Sequence, residues 1–312
     1  MSAAYYRLGL TGYPLEHSLS PRLHTAALQA CGLEGEYRLY PVPPGDEAGL
    51  KALLESVRGG ALHGLNVTIP HKRSVLPLLD EVSETVKAIG AVNTIYARDG
   101  ELVGENTDAS GFISDLGRWL PTQEQGGVHP DQAPGMAPTQ EQGGTRHTGL
   151  VLGAGGSARA VNYALLQAGW QACVAARRVE QAQELRQAIS ENVEAIPLEE
   201  EALKRWVMER QVELVVNATP LGMGAWAGRS PWPRGVPLPG MAFVYDLVYN
   251  PPETTLMRDA KAAGLACANG LGMLVEQARL AFRLWTGCEV EREVMERAVK
   301  IEKTTESQRT QS

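Results

Sequence analysis

The stretch from Gly149 to Ala160, G-L-V-L-G-A-G-G-S-A-R-A, constrains the fold of this chain more than any other. Leu150, Val151 and Leu152 form a short unbroken apolar run, the pattern of a strand buried on both faces of a parallel sheet. Gly153-Ala154-Gly155-Gly156-Ser157-Ala158 then fits G-x-G-x-x-G/A, and Ala158 to Leu166 reads as a helix. In such a fingerprint Gly153 permits the tight turn, Gly155 lets backbone amides approach a pyrophosphate, and Ala158 keeps the helix close to the sheet. The unbonded N–H groups and positive dipole end of that helix favour phosphate. A strand-to-helix turn that binds nothing can use the same glycines, but a strand before and a helix after is the context that dinucleotide binding requires.

The next strand, about Gln171 to Ala175, ends in Ala176-Arg177-Arg178. An NAD site usually has an acid there for the ribose hydroxyls, whereas a 2′-phosphate calls for positive charge. Arg177 and Arg178 suit a phosphate through forked hydrogen bonds, and the nearest acid, Glu180, falls beyond the strand end. The alternative is a pair of solvated surface arginines. Their position favours NADP.

A length of 312 residues allows two domains, and 44% hydrophobic with 21% charged residues describes an ordinary globular protein. A net charge of −7 argues against nucleic acid or an acidic membrane as the main partner. Cys31, Cys173, Cys267 and Cys288 are scattered without a C-x-x-C, which indicates neither a metal site nor a disulfide framework. No apolar run is long enough to span a bilayer and the start lacks a signal-peptide pattern, so a cytoplasmic location is expected. A second copy of the chain, as a homodimer, is the one macromolecular partner left open.

Upstream, Tyr6 to Leu10 reads as a strand, followed by His17-Ser18-Leu19-Ser20-Pro21, with Ser20 as N-cap and Pro21 as first residue of a helix ending at Cys31. Glu36 to Val42 alternates like a strand, Asp46 to Arg58 is helical, and Gly64 to Thr68 is a strand entering N-V-T-I-P-H-K. Alternation sends Asn66 and Thr68 to one face. Lys72 is placed where that strand gives way to a helix. Ser83 to Ile89 is a short helix before G-A-V-N-T, which holds Asn93, and Asp99-Gly100 signals a hairpin. Asp108 opens a helical run from Ala109 to Leu120, for which a purely capping role is the bland alternative.

Residues 121–147 carry P-T-Q-E-Q-G-G twice, with no apolar face to bury, and are expected to form a mobile surface loop. Beyond the arginines, Glu180 to Ile189 and Leu198 to Glu209 are helical. Val212 to Val216 is a buried strand leading into N-A-T-P-L-G-M, a loop at a strand's carboxyl end, where ligands of open α/β sheets bind. Met223 in that loop suits the face of a cofactor ring, although most methionines fill core gaps. Phe243 to Leu247 and Leu265 to Ala268 are strands with the helix Glu253 to Ala263 between them. G-L-G-M-L-V-E-Q starts a long helix to Trp285, and Glu291 to Ile301 is amphipathic before a polar tail expected to fray.

Eight motifs in order, H-S-L-S-P, N-V-T-I-P-H-K, G-A-V-N-T, N-T-D-A-S-G-F, G-A-G-G-S-A-R-A, N-A-T-P-L-G-M, D-L-V-Y-N-P and G-L-G-M-L-V-E-Q, make the chain resemble the shikimate dehydrogenase family over nearly its whole length. The resemblance implies reversible NADP-dependent reduction of 3-dehydroshikimate to shikimate, in aromatic amino-acid biosynthesis. It implies two α/β domains around a cleft, one a Rossmann-type domain with a parallel sheet at 108–269, the other built from 1–107 plus 270–312. It also implies that Lys72 donates a proton to the carbonyl oxygen while Asp108 orients the ammonium and favours its charged form. Ser18, Ser20 and Tyr249 would hold the substrate carboxylate, and Asn66, Thr68, Asn93 and Gln277 its ring hydroxyls, which need both donors and acceptors. Thr219, Gly270 and Met273 join the expected cofactor contacts.

The chain departs from the family pattern at Thr25, where Asn is usual, and at Asn269, where Asp is usual. The usual Asn-Arg-Thr reads Ala176-Arg177-Arg178, and Gln181 stands where a second arginine is frequent. A quinate/shikimate dehydrogenase preferring NAD is one alternative, but it would carry an acid where Val179 stands. A catalytically inactive NADP-binding regulatory protein is another, which the presence of both Lys72 and Asp108 disfavours. A folate dehydrogenase of similar layout is disfavoured by the serine loop.

Overall fold

The computed structural model describes residues 5–120 and 147–300; nearly all of the repeated segment and the polar tail lie outside the described residues. Two compact units divide the chain: the first takes residues up to Thr107 and from Leu274 onward, the second runs from Asp108 to Met273.

In the first unit the order is β1 (Tyr6–Gly12), α1 (Ser20–Ala30), β2 (Gly35–Pro41), α2 (Glu47–Arg58), β3 (Gly64–Val67), β4 (Glu81–Val82), α3 (Glu84–Ile89), β5 (Thr94–Arg98) and β6 (Glu101–Glu105). Its sheet runs β2-β1-β3-β5-β6-β4. β1 lies parallel to β2 and β3, and β5 is antiparallel to both β3 and β6. The β5–β6 hairpin turns on Asp99 and Gly100, whose φ of 54° and 83° are the left-handed pair that a tight hairpin demands. Asp46 caps α2 by accepting the Gly49 N–H, and Leu50, Leu54 and Val57 line its buried face. The last helix of the chain, α10 (Arg292–Lys300), packs on α1.

The second unit contains α4 (Asp108–Leu116), β7 (Thr148–Leu152), α5 (Gly156–Gln167), β8 (Gln171–Ala176), α6 (Val179–Ile189), β9 (Glu194–Pro197), α7 (Glu200–Met208), β10 (Leu214–Asn217), β11 (Phe243–Asp246), α8 (Thr255–Ala262) and β12 (Cys267–Asn269). A long helix, α9 (Leu271–Thr286), begins here and carries the chain into the first unit. The sheet is wholly parallel in the order β12-β11-β10-β7-β8-β9. The chain enters at central β7, winds outward to β9, then returns to β10 on the other side of β7. That reversal between β7 and β10 is the switch point at which doubly wound sheets bind ligands. Every residue of β7 is buried, as its apolar run requires.

Four local expectations need correction. Ser20 is the first residue of α1 rather than its cap; Leu19 holds the cap position, and no side chain caps the helix. After β3 the chain makes turns and one 3-10 segment, Leu76–Leu78, instead of an α-helix at Lys72. The Lys72 carbonyl accepts the Val92 N–H at 2.7 Å, which takes it away from a helical partner. β9 was not anticipated: it is a four-residue edge strand whose Glu194 accepts the Trp206 indole N–H at 2.9 Å, so it shows no apolar alternation. Finally, Cys31 and Cys288 form a disulfide, although the scattered cysteines indicate no disulfide framework. It joins the end of α1 to the segment after α9, a juxtaposition that spacing in sequence does not reveal.

Candidate functional site

In the first unit the carboxyl ends of β1 and β3 and the start of β5 gather the polar side chains. The Thr68 N–H donates to the Thr11 carbonyl at 2.9 Å and the Val67 N–H to the Asn93 carbonyl at 2.8 Å, so three neighbouring segments end at one level. Asn66 and Asn93 are both buried there. The Asn66 amide N–H groups donate to the Asn93 carbonyl at 3.1 Å and to Thr94 Oγ1 at 3.2 Å, while its Oδ1 accepts the Tyr37 hydroxyl at 2.8 Å. Asn93 donates to Thr107 Oγ1 at 2.9 Å and to Gln277 Oε1 at 3.2 Å, and its Oδ1 accepts the Thr107 N–H at 2.8 Å. The Gln277 amide in turn donates to the Leu274 carbonyl at 3.0 Å. Asn66, Asn93 and Gln277 thus belong to one buried network, with Thr94, Thr107 and Tyr37 as members that sequence reading did not single out. Adjacent Asn-Thr pairs, at 93–94 and 106–107, were the available signal; Tyr37 gave none beyond its place in a strand.

Ser18 and Ser20 lie in the β1–α1 connection, where Ser18 Oγ accepts the Ser20 N–H at 3.3 Å. Thr68 is half-buried just past β3, and Lys72 is half-buried in the turn that follows. His71, beside Lys72, is tied to the Val42 carbonyl at 2.7 Å, which anchors this turn to the end of β2. Asp108 opens α4 and is buried at 4% exposure; it belongs to the second unit, as does half-buried Tyr249.

In the second unit the glycine turn joins β7 to α5. Gly153 has φ of 107°, and a Cβ there would meet the Ala218 backbone and Thr219. Gly155 caps α5 without any side-chain hydrogen bond, and a Cβ on it would meet nothing within 4 Å. Space therefore lies open above the glycine, next to helix-terminal amides that no side chain caps. A pyrophosphate fits that arrangement. Arg177 and Arg178 are exposed at the end of β8, the neighbouring strand, where a 2′-phosphate would be met.

The loop after β10 is held by Asn217, which donates to the Leu221 carbonyl at 3.0 Å and to Asp246 Oδ1 at 2.8 Å, and accepts the Thr219 N–H at 2.9 Å and hydroxyl at 2.7 Å. Thr219 is thereby fixed beside Gly153, and Met223 stands exposed further along the loop. Asp246 also accepts the Val248 N–H at 3.0 Å and the Thr254 hydroxyl at 2.6 Å. Burial pushes its carboxyl up to about 6, with these hydrogen bonds opposing the rise. Asn217, Asp246 and Thr254 are further residues that sequence reading did not single out. Gly270 has a packing reason of its own, because a Cβ on it would strike the Leu247 backbone. Met273 is buried near the start of α9.

A glycine turn of this kind holds a dinucleotide, and the amide- and hydroxyl-rich strand ends of the other unit suit a small, heavily oxygenated molecule. A dinucleotide-linked oxidoreductase is the class that these parts make. Residues 10–95 match the model of the shikimate dehydrogenase substrate binding domain, and 270–300 that of the shikimate 5'-dehydrogenase C-terminal domain. The shikimate dehydrogenase (NADP(+)) of Salinibacter ruber is 43% identical over 289 residues, 89% of this chain and 90% of that one. The crystal structure of a Thermus thermophilus shikimate 5-dehydrogenase in complex with NADP(H) and shikimate superposes with a TM-score of 0.77 at 37% identity, covering 95% of this chain and 98% of that one. A quinate dehydrogenase from Corynebacterium glutamicum in complex with NAD reaches 0.78 at 33% identity, covering 95% and 98%. This chain belongs to the shikimate dehydrogenase family.

Proposed function

We infer that this chain is an NADP-dependent oxidoreductase that reversibly reduces 3-dehydroshikimate to shikimate, a step of aromatic amino-acid biosynthesis. The observation that carries the reading is 43% identity, over nine-tenths of both chains, to a relative named for that substrate and cofactor. The open, uncapped glycine turn and the exposed arginines beside it support the cofactor.

Bound in its reduced form, NADP supplies the hydride. The turn that Gly153 permits, with its own N–H donated to the Ala175 carbonyl, would place the amides of Ala154, Gly155, Gly156, Ser157 and Ala158 at its pyrophosphate, and Arg177 and Arg178 would hold its 2′-phosphate. Thr219, Met223, Gly270 and Met273 complete its pocket. Lys72 gives a proton to the ketone oxygen in reduction and takes it back in oxidation, with Asp108 orienting the ammonium. Ser18, Ser20 and Tyr249 bind the substrate carboxylate, and Asn66, Thr68, Asn93 and Gln277 its hydroxyls. Among the described residues no helix is long and apolar enough to cross a membrane. We place the reaction in the cytoplasm, although the Cys31–Cys288 bond pulls the other way, since disulfides are rare in reducing compartments. A homodimer is the assembly to test by sedimentation.

A second reading, oxidation of quinate with NAD, is favoured by the likeness to the Corynebacterium glutamicum enzyme. Against it stand two exposed arginines and no acid at the end of β8. The test offers the purified protein shikimate or quinate with NADP or NAD and follows reduced nicotinamide by absorbance. Rapid turnover with shikimate and NADP is expected, abolished in Lys72→Ala while NADP still binds. Turnover of quinate with NAD alone would overturn the reading.

A further inference from the structure

Asn66 offers four hydrogen-bonding valences, two N–H donors and two lone pairs on Oδ1. Both donors are committed, one to the Asn93 carbonyl and one to Thr94 Oγ1. A carbonyl oxygen can only accept, so the amide nitrogen must face it and the amide cannot rotate end for end. The Tyr37 hydroxyl, donating at 2.8 Å, takes one lone pair of Oδ1 and secures the same orientation from the other side. The His24 ring also lies beside Asn66, but neither of its nitrogens meets a partner in hydrogen-bonding geometry, so one lone pair of Oδ1 is left.

Tyr37 is itself held rigidly. Its ring stacks on His24 with centroids 4.3 Å apart and planes 1° from parallel. His24 is fully buried, packs against Trp285 with ring centroids 5.3 Å apart, and is kept neutral because burial lowers its pKa to about 3, opposed in part by Asn66. The phenol is therefore aimed by an aromatic cluster that bears no charge near neutral pH.

We propose that Tyr37 is a positioning residue that fixes Asn66 as an obligate hydrogen-bond acceptor, so that the site selects a substrate bearing an O–H donor, a ring hydroxyl, at that point. This rests on the reading that Asn66 contacts substrate. A substrate with hydrogen or an ether oxygen in that place leaves a buried lone pair unsatisfied and is rejected.

The test compares wild type, Tyr37→Phe and Asn66→Ala with shikimate and with its 4-deoxy and 5-deoxy analogues. Tyr37→Phe keeps the ring stack and removes only the donor. Its KM for shikimate is expected to rise about tenfold, with kcat within about twofold and NADP affinity unchanged. On wild type, one of the two analogues should lose about tenfold or more in kcat/KM, and that penalty should shrink in Tyr37→Phe. An unchanged KM in Tyr37→Phe alongside a raised KM in Asn66→Ala overturns the positioning role and leaves the Asn66 contact standing. An unchanged KM in Asn66→Ala overturns the contact itself. Should Tyr37→Phe fold poorly, the analogue series on wild type still decides, since equal kcat/KM for both analogues and shikimate excludes a required hydroxyl donor.

Discussion

Asn217 donates a 2.8 Å hydrogen bond to the carboxylate of Asp246, joining the ends of β10 and β11 inside a site where neither residue has any exposed surface. Through Asn217 the bond reaches Thr219 and Leu221, and through Asp246 it reaches Val248 and Thr254. Two loops of the proposed cofactor and substrate sites thus hang on one buried acid.

That acid makes stability depend on pH. Burial raises the Asp246 carboxyl from 3.8 to about 6, so the folded state binds its proton more tightly than the unfolded one. The stabilisation is fully present below pH about 4 and lost as pH rises through about 6, an effect of about 3 kcal/mol for that gap. Asp246→Asn mimics the protonated acid, keeping an acceptor for Asn217 and Val248 and an N–H for the Thr254 oxygen. Urea unfolding should show the variant gaining on wild type between pH 4 and pH 7. A difference that stays flat with pH would assign the rise elsewhere.

The glycine turn separates folding from binding. Gly153→Ala places a side chain at φ 107° against the Ala218 backbone and should lower the melting temperature, by a strain of about 1–3 kcal/mol. The Cβ of Gly155→Val meets nothing within 4 Å beyond its chain neighbours, so its melting temperature should hold while NADPH affinity, followed by fluorescence, falls about tenfold or more. Unaltered affinity in Gly155→Val would move the pyrophosphate away from this turn.

Replacing Arg177 and Arg178 together with alanine should weaken NADP by about ten- to a hundredfold in kcat/KM, the range expected for lost charged hydrogen bonds to a phosphate. NAD, which lacks that phosphate, should be little affected. Parallel losses with both cofactors would show the arginines to be acting through the fold.

The cystine predicts a thiol count. Of the four cysteines, Cys173 and Cys267 are free, so titration of the denatured, unreduced protein should find these two alone. Reduction should then cost about 2–5 kcal/mol of stability, read from denaturant midpoints. Four reactive thiols before reduction would show that the bond does not form.

Local chemistry was legible because it is decided within a few residues. The apolar run of β7 and the glycines after it announced a strand, a turn and a helix, and Asp99-Gly100 announced a hairpin, since each depends on φ, ψ and burial at adjoining positions. β9 escaped notice because a short edge strand shows no such pattern. Tyr37 and Asn66 lie 29 positions apart, as do Asn217 and Asp246, while Cys31 and Cys288 lie 257 apart. Which of these meet depends on strand order and register: β1 separates β2 from β3, whereas β10 pairs directly with β11. The sequence alone determined which residues are able to donate, accept or carry charge. Only the tertiary structure decided their partners, because a hydrogen bond or disulfide needs its atoms within a few ångströms, and long-range chain geometry sets that distance.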